Sequence, residues 1–412
     1  MNKAAELFLG ILTAMGGFVE IGELTFTLGS GVHFGYQLLW VTVLGTVGIM
    51  AYCEMAGRIA AVKRRPVFSL IRERNGFGAA LLTLVAANAV NLLTCAAEVG
   101  GVALLWQLMT GWPYRALLFA ALAFFIVVVW LLPFQWIERV FGLGGLLMVV
   151  FIVVLWTMQP QWSEMAAGLL PSMPRVESSR ELLLWAYMGV ALLSSIMLPY
   201  ETYFYASGGI EDAWTPSDIV TNRVVVLVGF ALGALLSVAL TGLGAQYFGP
   251  RGIEPQLPGT AALAASVVFA KIGLAIAALG LFFAFAGAAI ETALSAAYNL
   301  AQFAGWPWGK SKRPREAARF SLAWVVVFVA ATAVVMSGVD PVQVVEVSIV
   351  FSVVVLPFSY LPVLLVARDK KAMGEHANGW FANVLGWFYL VTLTIAALAA
   401  IPLFLLTHGG RG

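Results

Sequence analysis

Eleven apolar runs of roughly 20 residues, the length of helix needed to cross the hydrocarbon of a bilayer, succeed one another along the chain. They predict membrane spans near 6 to 30, 36 to 61, 77 to 109, 114 to 132, 137 to 158, 182 to 207, 219 to 247, 266 to 303, 319 to 337, 341 to 366 and 380 to 407. Hydrophobic residues make up 61% of the 412 residues and charged residues 11%, too little polar surface for a water-soluble fold of this size. The third and eighth runs exceed what a span requires, so part of each is expected to tilt, lie in the interface or reach into water. The first run continues without a cleavage site into its glutamate-bearing end, so the first helix is expected to be retained.

The basic residues give an orientation. Lys63, Arg64, Arg65, Arg72 and Arg74 follow span 2; Lys310, Lys312, Arg313 and Arg315 follow span 8; Arg368, Lys370 and Lys371 follow span 10. By the positive-inside rule these loops face the cytoplasm, which puts the N-terminus inside and the C-terminus outside a plasma (inner) membrane. A net charge of +2, spread over several loops, excludes a nucleic-acid partner. Two cysteines, both in apolar runs, exclude a disulfide framework or a metal knuckle. No nucleophile with its base, nucleotide loop or HExxH-type metal motif is present, and an enzyme is not expected.

Within this apolar background the stretch GGFVEIGELTFTLGSGVHFG, residues 16 to 35, carries Glu20 and Glu23 among glycines. Each glycine weakens a helix by roughly 1 kcal/mol against alanine, so a helix break is expected beside the two carboxylates. A charged side chain at membrane depth is costly and normally faces a cavity or a partner, and broken helices are where secondary transporters bind ions. Span 6 repeats the pattern, with Pro199 and Glu201 in SSIMLPYETYFYASGG, and spans 3 and 8 each hold an isolated acid, Glu98 and Glu291. The expected fold is an all-α polytopic membrane protein of about 11 transmembrane helices, with an inverted 5+5 repeat and broken helices 1 and 6. It forms a single transporter domain: residues 1–158 as the first repeat, 182–366 as the second and 380–407 as an additional helix.

The segments GYQLLW, AAEVGGVALLW, LPYETYFYAS and above all LPFSYLPVLLVARDKKAMGEHANGW are similar to those of the Nramp family of divalent metal transporters, and the resemblance runs end to end. It implies an APC-superfamily-like fold, import of Mn(II) or Fe(II), generally with protons, and a divergent branch associated with Mg(II). Carried over by position, the Asp-Pro-Gly-Asn motif of the family's first helix falls on Glu20, Ile21, Gly22 and Glu23, with a backbone carbonyl ligand on Gly17. The Met-Pro-His motif falls on Leu198, Pro199 and Tyr200, with a carbonyl ligand on Ser195. The proton-transfer acid of span 3 falls on Cys95 and the next acid on Glu98. The span 10 glutamine falls near Ser348 or Ile349, one turn from Glu346.

These departures have a chemical direction. Losing the thioether and gaining a carboxylate moves a site away from soft transition metals and toward Mg(II), Ca(II) and Mn(II), which accept carboxylate, carbonyl and water oxygens. The expected cargo is therefore a divalent cation, Mg(II) or Mn(II), carried as substrate with no cofactor. Glu98, Tyr200, Glu201, Glu291 and Glu346 are candidates for a proton relay or for support of the site. Protons remain an open second partner: His33, His376 and His408 all fall outside the predicted hydrocarbon, which favours uncoupled uptake. Glu201 has two supporting alternatives, an ion pair with Arg223 or a hydrogen bond with Tyr203. Glu54 and Arg58, four apart in span 2, are expected to pair. Two other classes fit the same features: a symporter of amino acids or organic amines, with Tyr200, Tyr203 and Tyr205 as a cation-binding wall, and a non-transporting membrane receptor or regulator.

Overall fold

A computed structural model describes residues 19–172, 174–255 and 257–410, together with residues 8, 10–12 and 14. Among the described residues every regular element is helical. The principal helices are α1 (Ile21–Phe34), α2 (Leu39–Lys63), α3 (Val67–Thr110), α4 (Tyr114–Leu131), α5 (Phe134–Gly145), α6 (Val149–Thr157), α7 (Trp162–Gly168) and α8 (Ser179–Ile196). They continue with α9 (Pro199–Glu211), α10 (Ile219–Leu243), α11 (Pro258–Ala304), α12 (Ala318–Met336), α13 (Pro341–Ala367), α14 (Lys370–Met373) and α15 (Trp380–Leu406).

Ten segments of the described chain are long and apolar enough to cross a membrane, from Leu39–Lys63 to Trp380–Leu406. They coincide with spans 2 to 11 to within a few residues at most ends, because the pattern that marks them is an unbroken run of apolar side chains rather than a delicate periodicity. Span 1 falls partly outside the described residues; residues 8, 10–12 and 14 are helical, Val19 and Glu20 are not, and α1 follows.

The two long runs are explained by breaks. In α3 the backbone at Gly76 leaves the helical region with φ 82° and ψ 169°, so residues 67–75 form a separate segment before the span begins. In α11 the break is at Ala270, with φ 50° and ψ −136°. A positive φ is unusual for a residue with a Cβ and marks a sharp local bend. The predicted Glu54–Arg58 pair forms, Arg58 Nε lying 3.0 Å from Glu54 Oε1. Arg58 also donates to Asn378 Oδ1 at 2.6 Å and to the His376 carbonyl, joining α2 to the loop before α15.

The interior is built around α3, which lies against α11, α13 and α12, and around α1, which lies against α10 and α8. Many of the buried positions in α11 are alanine or glycine, including Ala284, Ala286, Ala288, Ala289 and Gly280. Small residues let helices approach closely in lipid, where hydrophobic transfer gives little drive for association. That close packing brings the two interrupted helices, α1 and the α8–α9 pair, to the middle of the bundle.

Candidate functional site

The site begins where the backbone at Glu20 is extended, with φ −116° and ψ 174°, immediately before α1. A new helix start leaves its first amides without intrahelical acceptors. One of them is met from another helix: Glu98 of α3 accepts from the Ile21 N–H at 2.8 Å. A carboxylate at a helix N-terminus is favoured by both the hydrogen bond and the helix dipole.

Glu23 stands in the first turn of α1, and its carboxylate accepts a short hydrogen bond from the Ser237 hydroxyl of α10. Glu20, Glu23 and Glu98 are at most 1% exposed. One oxygen of each, Glu20 Oε1, Glu23 Oε2 and Glu98 Oε2, has no hydrogen-bond partner. Leaving a buried carboxylate oxygen unmet is costly enough that such a cluster calls for a cation or protons. Gly22 makes the approach possible: a Cβ there would strike Glu20 Oε1 and come within 2.7 Å of Ile349 Cδ1.

The second break lies between α8 and α9. Met197 and Leu198 are non-helical and Pro199 opens α9. Proline has no N–H, so the Ser195 carbonyl is deprived of the amide that would bond it four residues on. The Ser195 hydroxyl turns back to the Leu192 carbonyl at 3.1 Å, leaving its main-chain oxygen as the group this residue can offer. Tyr200 is fully buried with its hydroxyl unpartnered, while its carbonyl accepts from Ser295 of α11 at 3.1 Å. The nearest bonds of Cys95 are structural: its Sγ lies 3.7 Å from the Ala289 carbonyl.

Neither supporting alternative for Glu201 is realised. Arg223 pairs with Glu54 at 3.1 Å instead, and the Tyr203 hydroxyl donates to the Ser359 carbonyl at 3.4 Å. Glu201 is buried with Oε1 unpartnered. Glu138 of α5 pairs with Lys310, its carboxylate 3.5 Å from Nζ. The backbone N–H groups of Lys310 and Ser311 donate to Glu211 at 2.8 and 3.3 Å.

On α13 it is Ile349 whose side chain reaches the Gly22 position, and its carbonyl accepts from Ser194 at 2.7 Å. Glu346 lies elsewhere, in a cavity with Thr25, His33, Met188 and Glu254 beside the C-terminal half of α1. Gly17 lies outside the described residues. Among the described residues no three acidic, histidine or cysteine side chains form a ready metal cage. Holding an ion here therefore requires backbone carbonyls or water beside the carboxylates. Ser237 is the site residue that sequence reasoning missed; a single serine in FALGALLSVALTGL was its only mark.

Three comparisons bear on this arrangement. A divalent metal cation transporter of Deinococcus radiodurans named MntH is 24% identical over 95% of this chain and 88% of its own. A crystal structure of a mutant manganese transporter from Eremococcus coleocola superposes with a TM-score of 0.73 at 19% identity, covering 95% of this chain and 85% of that one. Mhp1, a nucleobase-cation-symport-1 family transporter, superposes at 0.59 with 13% identity, covering 98% and 92%, and shares the fold alone. The model of the natural resistance-associated macrophage protein-like family matches residues 10–403. This integral membrane protein, with its helices interrupted at Glu20 and at Pro199, belongs to the Nramp family.

Proposed function

We propose that the protein imports a divalent cation, Mg(II) or Mn(II), by alternating access through a site on Glu20 and Glu23, with the carbonyls of Ser195 and Gly17 as further ligands. The observation that carries this is the trio Glu20, Glu23 and Glu98, buried at a helix break with one unmet oxygen apiece. The names of the relatives, divalent metal cation transporter and manganese transporter, favour a divalent metal. Preference for a hard ion rests on Leu198 beside Pro199, since the one sulfur at the second break, that of Met197, is packed against Gly48 of α2. Mg(II) binds through one or two carboxylates while keeping several waters, which suits a site without a protein cage.

Alternating access is supported by the state of the two ends. A cavity borders α1, α8 and α13 at one end. At the other, Leu12 and Ala14 pack against Gly142 and Gly229. The positive-inside rule makes the second end cytoplasmic, with the N-terminus inside the plasma membrane. Residues 1–158 and 182–366 act as the two inverted halves, each opening on a broken helix, with 380–407 appended. Glu98, Tyr200, Glu201 and Glu291 line the way inward, and Glu346 stands at the entrance. His33 borders the entrance cavity and no histidine stands among the buried acids further in, so uptake runs down the ion's own gradient.

The test is flux into liposomes holding the purified protein, with Mg(II), Mn(II), Ca(II) and Cd(II) compared and internal pH recorded. Mg(II) or Mn(II) flux that Glu20→Gln or Glu23→Gln abolishes, with a silent pH probe, is the expected result. Absence of any divalent flux, or flux unchanged by both substitutions, overturns it.

A further inference from the structure

Ser237 stands on α10, fully buried, and supplies a hydroxyl to Glu23 from outside the broken helix. The same hydroxyl lies 3.2 Å from the Gly233 carbonyl. A serine has one proton to donate, and a carboxylate is the stronger acceptor. Glu23 Oε1 is therefore occupied and Oε2 alone lacks a partner. Glu98 is held in the same way, one oxygen taken by the Ile21 N–H and the other unmet.

We propose that the Ser237 hydroxyl turns Glu23 into a one-oxygen ligand and thereby sets the site against Ca(II). Ca(II) takes about 6–8 oxygens and commonly chelates both oxygens of a carboxylate, whereas Mg(II) needs near-octahedral single-oxygen ligation at about 2.0–2.1 Å. A carboxylate with one oxygen tied to a neighbouring helix suits the smaller ion. Because the tie comes from α10, the discrimination is set by how α10 is seated against α1 and not by α1 alone. This inference rests on the reading of Glu23 as an ion ligand.

The experiment compares Ca(II) with Mg(II) and Mn(II) uptake in proteoliposomes for the native chain, Ser237→Ala, Ser237→Val, Ser237→Thr and Glu23→Gln. Val and Thr have the same shape, so their difference isolates the hydroxyl. Removing the hydroxyl in Ala and Val raises Ca(II) uptake relative to Mg(II) by about tenfold, the size of effect that about 1.4 kcal/mol of differential binding produces, and Thr keeps the native ratio. An unchanged ratio in Ala and Val, or a Thr variant that shifts as far as Val, overturns the inference. If Glu23→Gln keeps native flux, the ligand reading itself fails; if Glu23→Gln is dead while the Ser237 variants keep the native ratio, only the role of Ser237 fails.

Discussion

Glu98 Oε1 lies 2.8 Å from the Ile21 nitrogen, so a residue of α3 caps a helix that begins 77 positions earlier in the chain. The N-terminal end of α1 is thus fixed from another helix. Glu98→Ala strands the Ile21 N–H in a buried setting, at a cost of about 1–3 kcal/mol. Glu98→Gln keeps an acceptor there and loses only the charge. Thermal unfolding in detergent is expected to separate them, Ala lowering the midpoint and Gln leaving it near native, while uptake falls in both. Equal midpoints for the two would deny the cap.

Gly22 is enclosed by Glu20 and Ile349. Gly22→Ala pushes the carboxylate or the isoleucine aside, and displacement of a binding group by about 1 Å commonly costs tenfold or more in rate. Uptake is expected to drop by at least about tenfold with the protein still folded. Ile349→Ala in the same chain opens one of the two contacts and restores part of the rate; a double variant no faster than Gly22→Ala would contradict that packing.

Arg58 is buried beneath Glu54, Asn378 and the His376 carbonyl. Removing Arg58 leaves Glu54 only the exposed Arg223 and takes the donor from Asn378 Oδ1 and the His376 carbonyl, each buried acceptor left unmet costing about 1–3 kcal/mol. Arg58→Met is therefore expected to unfold well below the native chain. Arg65 pairs with Glu73 in the open, their side chains 47% and 58% exposed, and Arg65→Met is expected to leave the midpoint almost unmoved. Similar losses from both would show that burial does not govern these pairs.

Acid acts on the loop after α13 through Asp369. The Lys371 N–H bonded to its carboxylate, with Arg74 alongside, holds Asp369 below its ordinary value of 3.8. A folded-state value below the unfolded one adds stability that is complete above the unfolded value and lost as pH falls through the folded one. Asp369→Asn retains the cap and removes the charge. It is expected to melt below the native chain at neutral pH and to match it once the medium is acidic enough to protonate the native aspartate. A gap that persists unchanged in acid would assign the effect to something other than this charge.

Spans 2 to 11 were legible because membrane helices advertise themselves through long apolar runs, and the acids of the site because charge in such runs is conspicuous. The break at Glu20 followed from its glycines and the break at Pro199 from proline chemistry. What stayed hidden was pairing across the chain. Nothing local in TCAAEVGG tells that Glu98 caps Ile21, and a lone serine at 237 reads as ordinary close packing. Arg223 was weighed against Glu201 on proximity in sequence, but Glu54 offers it a carboxylate at the water boundary, where an arginine loses less hydration. The Ala270 bend had no glycine or proline to announce it.

At one break a helix starts, and at the other a helix stops. On the proposed function the ion sits between them, with amide hydrogens on the α1 side and main-chain oxygens on the α8 side. A cation arriving there finds acceptors already turned toward it, with Pro199 ensuring that the Ser195 oxygen has no amide to return to. When the cation leaves, the carboxylates are not abandoned, since the start of α1 and the Ser237 hydroxyl still answer them. On the proposed function, the same interruption that would receive cargo also steadies the unloaded carrier.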